Sequence, residues 1–150
     1  MGDKAPGFKL ATDDGETVTL ASLKGAPFVV YFYPKDDTSG CTKEAIAFSA
    51  ALPKFARLGV TVIGVSRDSL ESHAKFRTKH KLKLALGSDA DLKMAEAWGV
   101  WGEKTLYGRK YMGMERATFL VNAKGVIAQA WRKVKVPGHV EAVLEAAKSL

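Results

Sequence analysis

The segment Phe28-Val-Val-Tyr-Phe-Tyr33 constrains this chain most: an unbroken apolar and aromatic run stopped by Pro34. It shows no polar alternation, so both faces of the strand it forms must be covered by other elements. Val60-Thr-Val-Ile-Gly-Val-Ser66 reads as a second strand buried in the same way. Between them Ala45, Phe48, Ser49, Leu52, Phe55 and Ala56 recur at helical spacing, with a kink or restart expected at Pro53.

Further along, Asp68-Ser-Leu-Glu71 has capping-box spacing, with Asp68 as N-cap of a helix running to about His80. Leu84-Ala-Leu86 reads as a short strand and Asp91 to Trp98 as a short helix. Residues 99–115, rich in Gly and aromatics, read as a structured loop. Thr118-Phe-Leu-Val121 and Val126-Ile-Ala-Gln-Ala-Trp131 flank Asn-Ala-Lys-Gly, a hairpin signal. A last helix carries Val140, Val143, Leu144 and Ala147 on one face after Pro137. Near the N-terminus, Asp13-Asp14-Gly15 marks a turn between short extended segments. Strands alternating with helices, followed by a hairpin, predict an α/β fold with a mixed central sheet and helices on both faces. This is the layout of a thioredoxin-like fold, which pattern alone does not separate from other α/β sandwiches.

The chain has 150 residues, with no repeat, linker or low-complexity stretch, and reads as one domain over 1–150. Its 47% apolar content suffices for one core, and no run reaches the length of a membrane span. MGDKAPGFKL has no apolar signal region, so a cytoplasmic location is expected. The net charge is +7, and Lys75, Arg77, Lys79, Lys81 and Lys83 form a run without an acid. Such a run reads as a solvated helix end. No zinc finger, RNA-binding aromatic motif or Gly-Lys phosphate loop accompanies it, so no nucleic-acid partner is expected. A basic surface does attract anionic small molecules or acidic proteins.

The sequence holds a single cysteine, which excludes an intramolecular disulfide, a CxxC redox motif and a Cys-rich zinc site. Cys41 lies in Tyr33-Pro34-Lys35-Asp36-Asp37-Thr38-Ser39-Gly40-Cys41-Thr42-Lys43-Glu44, where a buried strand ends, a polar loop turns and a helix begins. Unpaired N–H groups and the positive end of the helix dipole favour an anion there. Gly, Ser, Thr and Lys surround the thiol, which argues for a reactive cysteine over a small buried hydrophobe. A Cys-dependent phosphatase needs Arg where Ala47 stands, and a dithiol oxidoreductase needs Cys where Glu44 stands. A Cys-His hydrolase would need His73, His80 or His139 as base, but each reads as a surface histidine. Metal binding by three scattered histidines is not expected.

Pro34-x-x-x-Thr38-x-x-Cys41 resembles the active-site signature of the peroxiredoxins. YPKDDTSGCTKEA is similar to the subfamily called bacterioferritin comigratory protein, or peroxiredoxin Q. Ala5-Pro6 followed by Phe8 resembles the entry motif. Trp101-Gly-Glu-Lys, Tyr107-Gly-Arg-Lys-Tyr111 and Gly113-Met-Glu-Arg116-Ala-Thr-Phe119 resemble the second half. The resemblance covers nearly the whole chain. It implies a thiol-dependent peroxidase of the thioredoxin fold, without metal, flavin or haem. Cys41 would attack hydrogen peroxide or an organic hydroperoxide and become a sulfenic acid. Thr38 would hydrogen-bond the peroxide and the sulfur. Arg116 would hold the thiolate and the developing charge on the leaving oxygen. Pro34 would shield the thiolate from water. Glu44 and Trp101 are candidates for the pocket mouth. Read singly, Pro34 is equally a strand stop, Thr38 a helix cap and Arg116 a surface ion-pair partner.

Many members of that subfamily carry a resolving cysteine five residues after the first, where this chain has Ile46; others carry it in the next helix, and 69–80 holds none. Ser39 stands where Pro is common and Gly7 where Asp is common. A one-cysteine mechanism follows, with glutathione, glutaredoxin, thioredoxin or a second chain as reductant. A chain whose resolving cysteine had been replaced would read identically. The subfamily is often monomeric, so a monomer is expected. A redox-sensing module in which Cys41 turns over slowly is the alternative.

Overall fold

The computed structural model describes residues 2–150, apart from the Leu106 side chain. The strands are β1 (Lys9–Thr12), β2 (Thr17–Thr19), β3 (Phe28–Phe32), β4 (Thr61–Ser66), β5 (Ala85–Ser88), β6 (Trp101–Leu106), β7 (Arg109–Met114), β8 (Ala117–Val121) and β9 (Ile127–Trp131). The helices are α1 (Leu20–Leu23), α2 (Ser39–Arg57), α3 (Leu70–His80), α4 (Lys93–Ala97) and α5 (His139–Lys148). Seven strands form one sheet in the order β2-β1-β5-β4-β3-β8-β9. β3, β4 and β5 are parallel, whereas β1, β8 and β9 join antiparallel to their neighbours. The expected mixed sheet is present.

Strand pleating divides the core. Val29, Tyr31 and Tyr33 face one cluster with Cys41, Phe48 and Phe55 of α2, Phe76 of α3, and Val140 and Val143 of α5. Phe28, Val30 and Phe32 face the other, with Met94 and Ala95 of α4, Leu20 and Leu23 of α1, and Trp98. Every residue of β3 is buried, as its unbroken apolar run requires.

Three sequence expectations are corrected. Residues 101–114 are not a loop but the antiparallel hairpin β6–β7. Its two-residue turn, Tyr107-Gly108, has both φ angles positive, at 51° and 78°, as a primed turn requires. Tyr is an unusual first residue there, and that hid the turn. α2 continues through Pro53 without a restart. The N-cap of α3 is Ser69, whose side chain accepts from the Ser72 amide at 3.1 Å. Asp68 instead accepts from the Ser66 hydroxyl and the Asp36 amide.

Candidate active site

Cys41 is the third residue of α2 and only 1% exposed. It is both at a helix start and within the core, two positions the sequence presented as alternatives. Thr38 occupies the N-cap position in extended conformation, and its carbonyl accepts from the Thr42 amide at 2.8 Å. Its hydroxyl makes no side-chain cap and no bond to sulfur; it donates to the Lys35 carbonyl at 2.8 Å. Pro34 follows the buried Tyr33 and lines a cavity of about 520 Å³ with Lys35, Arg67, Trp101 and Lys104.

Arg116 enters from the far end of the sequence. β3 pairs antiparallel with β8, with Phe32 opposite Ala117. That register sets residue 116 beside the chain just past the end of β3, where the loop to Cys41 begins. Arg116 Nη2 donates to Cys41 Sγ at 3.2 Å, and Nη1 donates to Glu44 Oε1 at 2.7 Å. Gly40 admits this approach: a Cβ there would lie 3.1 Å from Nη2. Arg116 also lines a second cavity, of about 580 Å³, with Trp101, Tyr111 and Lys133. Trp101 lines both cavities.

Glu44 does not line a mouth. It is 0% exposed, and burial pushes its carboxyl up to about 7 against the opposing pull of the Arg116 guanidinium. The physical reason is helix geometry: residue 44 lies one turn from Cys41 on the face turned to the sheet.

Two histidines read as surface residues are buried. His139 bonds to Thr118 at 2.7 Å, and burial lowers its imidazole to about 4. His73 is completely buried, with Nδ1 2.7 Å from Asp36 Oδ2 and Nε2 2.9 Å from the Gly87 carbonyl. Both nitrogens face acceptors, so the imidazolium satisfies both. Burial opposes that charge, but Asp36 outweighs it and holds the imidazole above its ordinary value. Asp36 also accepts from Tyr33 Oη at 2.6 Å and Ser72 Oγ at 2.8 Å. Asp36, Asp68 and His73 place ligand-type atoms within 4.8 Å of one another, but these hydrogen bonds engage them as a hub. The hub fixes the loop between Pro34 and Thr38, and sequence reading missed it. The signal available was the spacing of His73, three residues before Phe76 and so on the same helix face as the apolar residue that α3 buries. His80 pairs with Asp37 at the surface. No histidine is among the hydrogen-bond partners of Cys41 in the described residues, which removes the hydrolase pairing.

The AhpC/TSA family model matches residues 1–130. The chain belongs to the AhpC/TSA family. Within this family it is 48% identical over 150 residues to peroxiredoxin Bcp of Bacillus subtilis, covering 100% of this chain and 96% of that one. Peroxiredoxin Q of Xanthomonas campestris superposes with a TM-score of 0.91 at 46% identity, covering 95% of this chain and 90% of that one. A structure of the X. campestris bacterioferritin comigratory protein, from work on its alkyl peroxide reduction activity, gives 0.90 at 45% identity over the same shares. The AhpC/TSA chain described here is therefore a thiol-dependent peroxiredoxin of the Bcp/peroxiredoxin Q group, with the thioredoxin fold.

Proposed function

We propose that this peroxiredoxin reduces hydrogen peroxide and organic hydroperoxides through a sulfenic acid at Cys41. The observation that carries the reading is the pairing of the sequence's single thiol with a guanidinium, Arg116 Nη2 to Cys41 Sγ at 3.2 Å. A fixed cation at the sulfur favours the thiolate and then the negative charge leaving the peroxide. The sulfur–oxygen bond forms as the oxygen–oxygen bond breaks, and the departing oxygen takes a proton to leave as water or alcohol. Thr38 would turn its hydroxyl from the Lys35 carbonyl toward the bound peroxide. Pro34 would keep water off the sulfur.

With no second cysteine, an external thiol condenses with the sulfenic acid, releasing water. A further thiol then frees Cys41 from the mixed disulfide. Thioredoxin, glutaredoxin and glutathione are the candidate reductants. No described helix is long and apolar enough to cross a membrane. A reactive free thiol suits a reducing compartment, and we place the enzyme in the cytoplasm as a monomer.

The test is peroxide consumption by wild type and Cys41→Ser with each reductant in turn. Multiple turnovers that vanish in the variant are expected. One peroxide consumed per chain with every reductant would mark a sensor. Absence of any Cys41 oxidation would sink the reading.

A further inference from the structure

Two buried polar atoms close to this machinery have no protein partner: Tyr31 Oη and Glu44 Oε2. Both residues are 0% exposed. Leaving a buried hydroxyl or carboxylate oxygen unmatched costs about 1–3 kcal/mol, so such atoms rarely persist without a role. β3 already contains Phe28 and Phe32, and a phenylalanine at 31 would fill the same ring position without the penalty.

The fold makes room for the hydroxyl. A Cβ at Gly64 of β4 would lie 2.7 Å from Tyr31 Oη, so a glycine in the middle of a buried strand leaves space for the phenol end. The Tyr31 ring stacks on Phe48 at 4.5 Å and 18°. Phe48 is one helical turn from Glu44, on the α2 face that also carries Cys41. Glu44 is the foremost charged neighbour holding the Tyr31 phenol far up, after burial itself, followed by Cys41 and Asp36.

We propose that Tyr31 is a positioning residue: its hydroxyl donates through one buried water to Glu44 Oε2, and so holds the carboxylate that anchors Arg116 against Cys41. This rests on the peroxidase reading of Cys41 and extends it to a residue outside the signature motif. A donor to the charged form lowers a carboxyl's pKa, so its loss raises that pKa. Glu44, already raised to about 7, would then keep its proton to higher pH and release Arg116. The other charges bearing on this assembly are Cys41 on α2, Asp36 in the preceding loop, and Lys104 on β6, which acts on Arg116. His139 of α5 lies close to Arg116 and stays neutral above about 4.

The experiment measures the second-order rate constant for Cys41 oxidation by hydrogen peroxide across pH 5.5 to 9. Wild type, Tyr31→Phe, Glu44→Gln and the double variant are compared. Tyr31→Phe is expected to react about fivefold more slowly at pH 7 and to recover toward wild type at pH 9. In the Glu44→Gln background it should change nothing. A rate within twofold of wild type at every pH overturns the inference. So does a loss equal at all pH, or an equal loss in both backgrounds. If wild-type Cys41 is not oxidised at all, the peroxidase reading fails by itself. The carboxyl ¹³C titration of Glu44 then still decides the link: an upward shift in Tyr31→Phe supports it, and an unmoved titration overturns it.

Discussion

Arg116 Nη1 donates to Glu44 Oε1 at 2.7 Å, and that carboxylate is wholly out of water. The cation at Cys41 is thus held by a buried anion one helical turn beyond the sulfur. Removing the anion leaves a half-buried guanidinium with one of its partners gone. Glu44→Gln is expected to slow Cys41 oxidation about tenfold near neutral pH, measured by stopped-flow peroxide competition.

The same carboxylate links stability to pH. Burial raises Glu44 from 4.5 to about 7, so the folded state holds its proton more tightly than the unfolded state. Its contribution is fully present below 4.5 and is lost as pH rises to about 7. That span corresponds to about 3 kcal/mol. Urea denaturation of wild type and Glu44→Gln at pH 5 and pH 8 checks it. The wild type should lose more stability than the variant on going to pH 8.

Gly40→Ala separates packing at the site from stability. The added methyl would stand 3.1 Å from Arg116 Nη2 and press the guanidinium away from sulfur. Gly40 lies in the first turn of α2, where Ala is the better helix former by about 0.5–1 kcal/mol. A melting temperature unchanged or higher, with oxidation of Cys41 slowed about fivefold, is the expected pair of results.

His73→Gln would leave Asp36 buried without its cation. A broken buried pair costs about 3–5 kcal/mol. Because Asp36 raises the His73 pKa, this stabilisation is fully present below the ordinary imidazole value of 6.5 and is lost as pH rises through the higher folded value. Denaturation at pH 6 and pH 9 should show the larger wild-type advantage at pH 6.

Ile46→Cys would supply a second thiol on the exposed side of α2, five residues after a buried one. Residues five apart on a helix lie too far apart for a disulfide without unwinding the first turn. Peroxide should give an intramolecular disulfide, seen as a 2 Da loss by mass spectrometry, with reduced far-ultraviolet ellipticity. Persistence of the sulfenic acid beside a free thiol would show that the turn does not open.

Much of this molecule was legible in local pattern. The all-apolar Phe28–Tyr33 run had to be a strand covered on both sides, and it is. Asn122 and Gly125 announced the β8–β9 turn, and Asn122 Oδ1 accepts from the Lys124 and Val126 amides at 3.0 and 3.1 Å. The β6–β7 hairpin escaped because the exposed strand β7 has no burial pattern to impose alternation. His73 and His139 escaped because burial of a polar residue depends on partners far away in the chain. Those partners are Asp36 and Gly87 for one and Thr118 for the other.

The sequence by itself determined the order of elements and placed Pro34, Thr38 and Cys41 on one strand–loop–helix junction, because all three lie within eight residues. The tertiary structure alone decided what faces the sulfur. The family resemblance assigned Arg116 to the sulfur, but the local pattern around 116 gives no physical reason for that meeting. The antiparallel register of β3 on β8 brings that guanidinium there, and the pleat turns Tyr31 toward the helix carrying Glu44. Local pattern follows from neighbours in the chain, whereas the electrostatics of a buried site follow from neighbours in space.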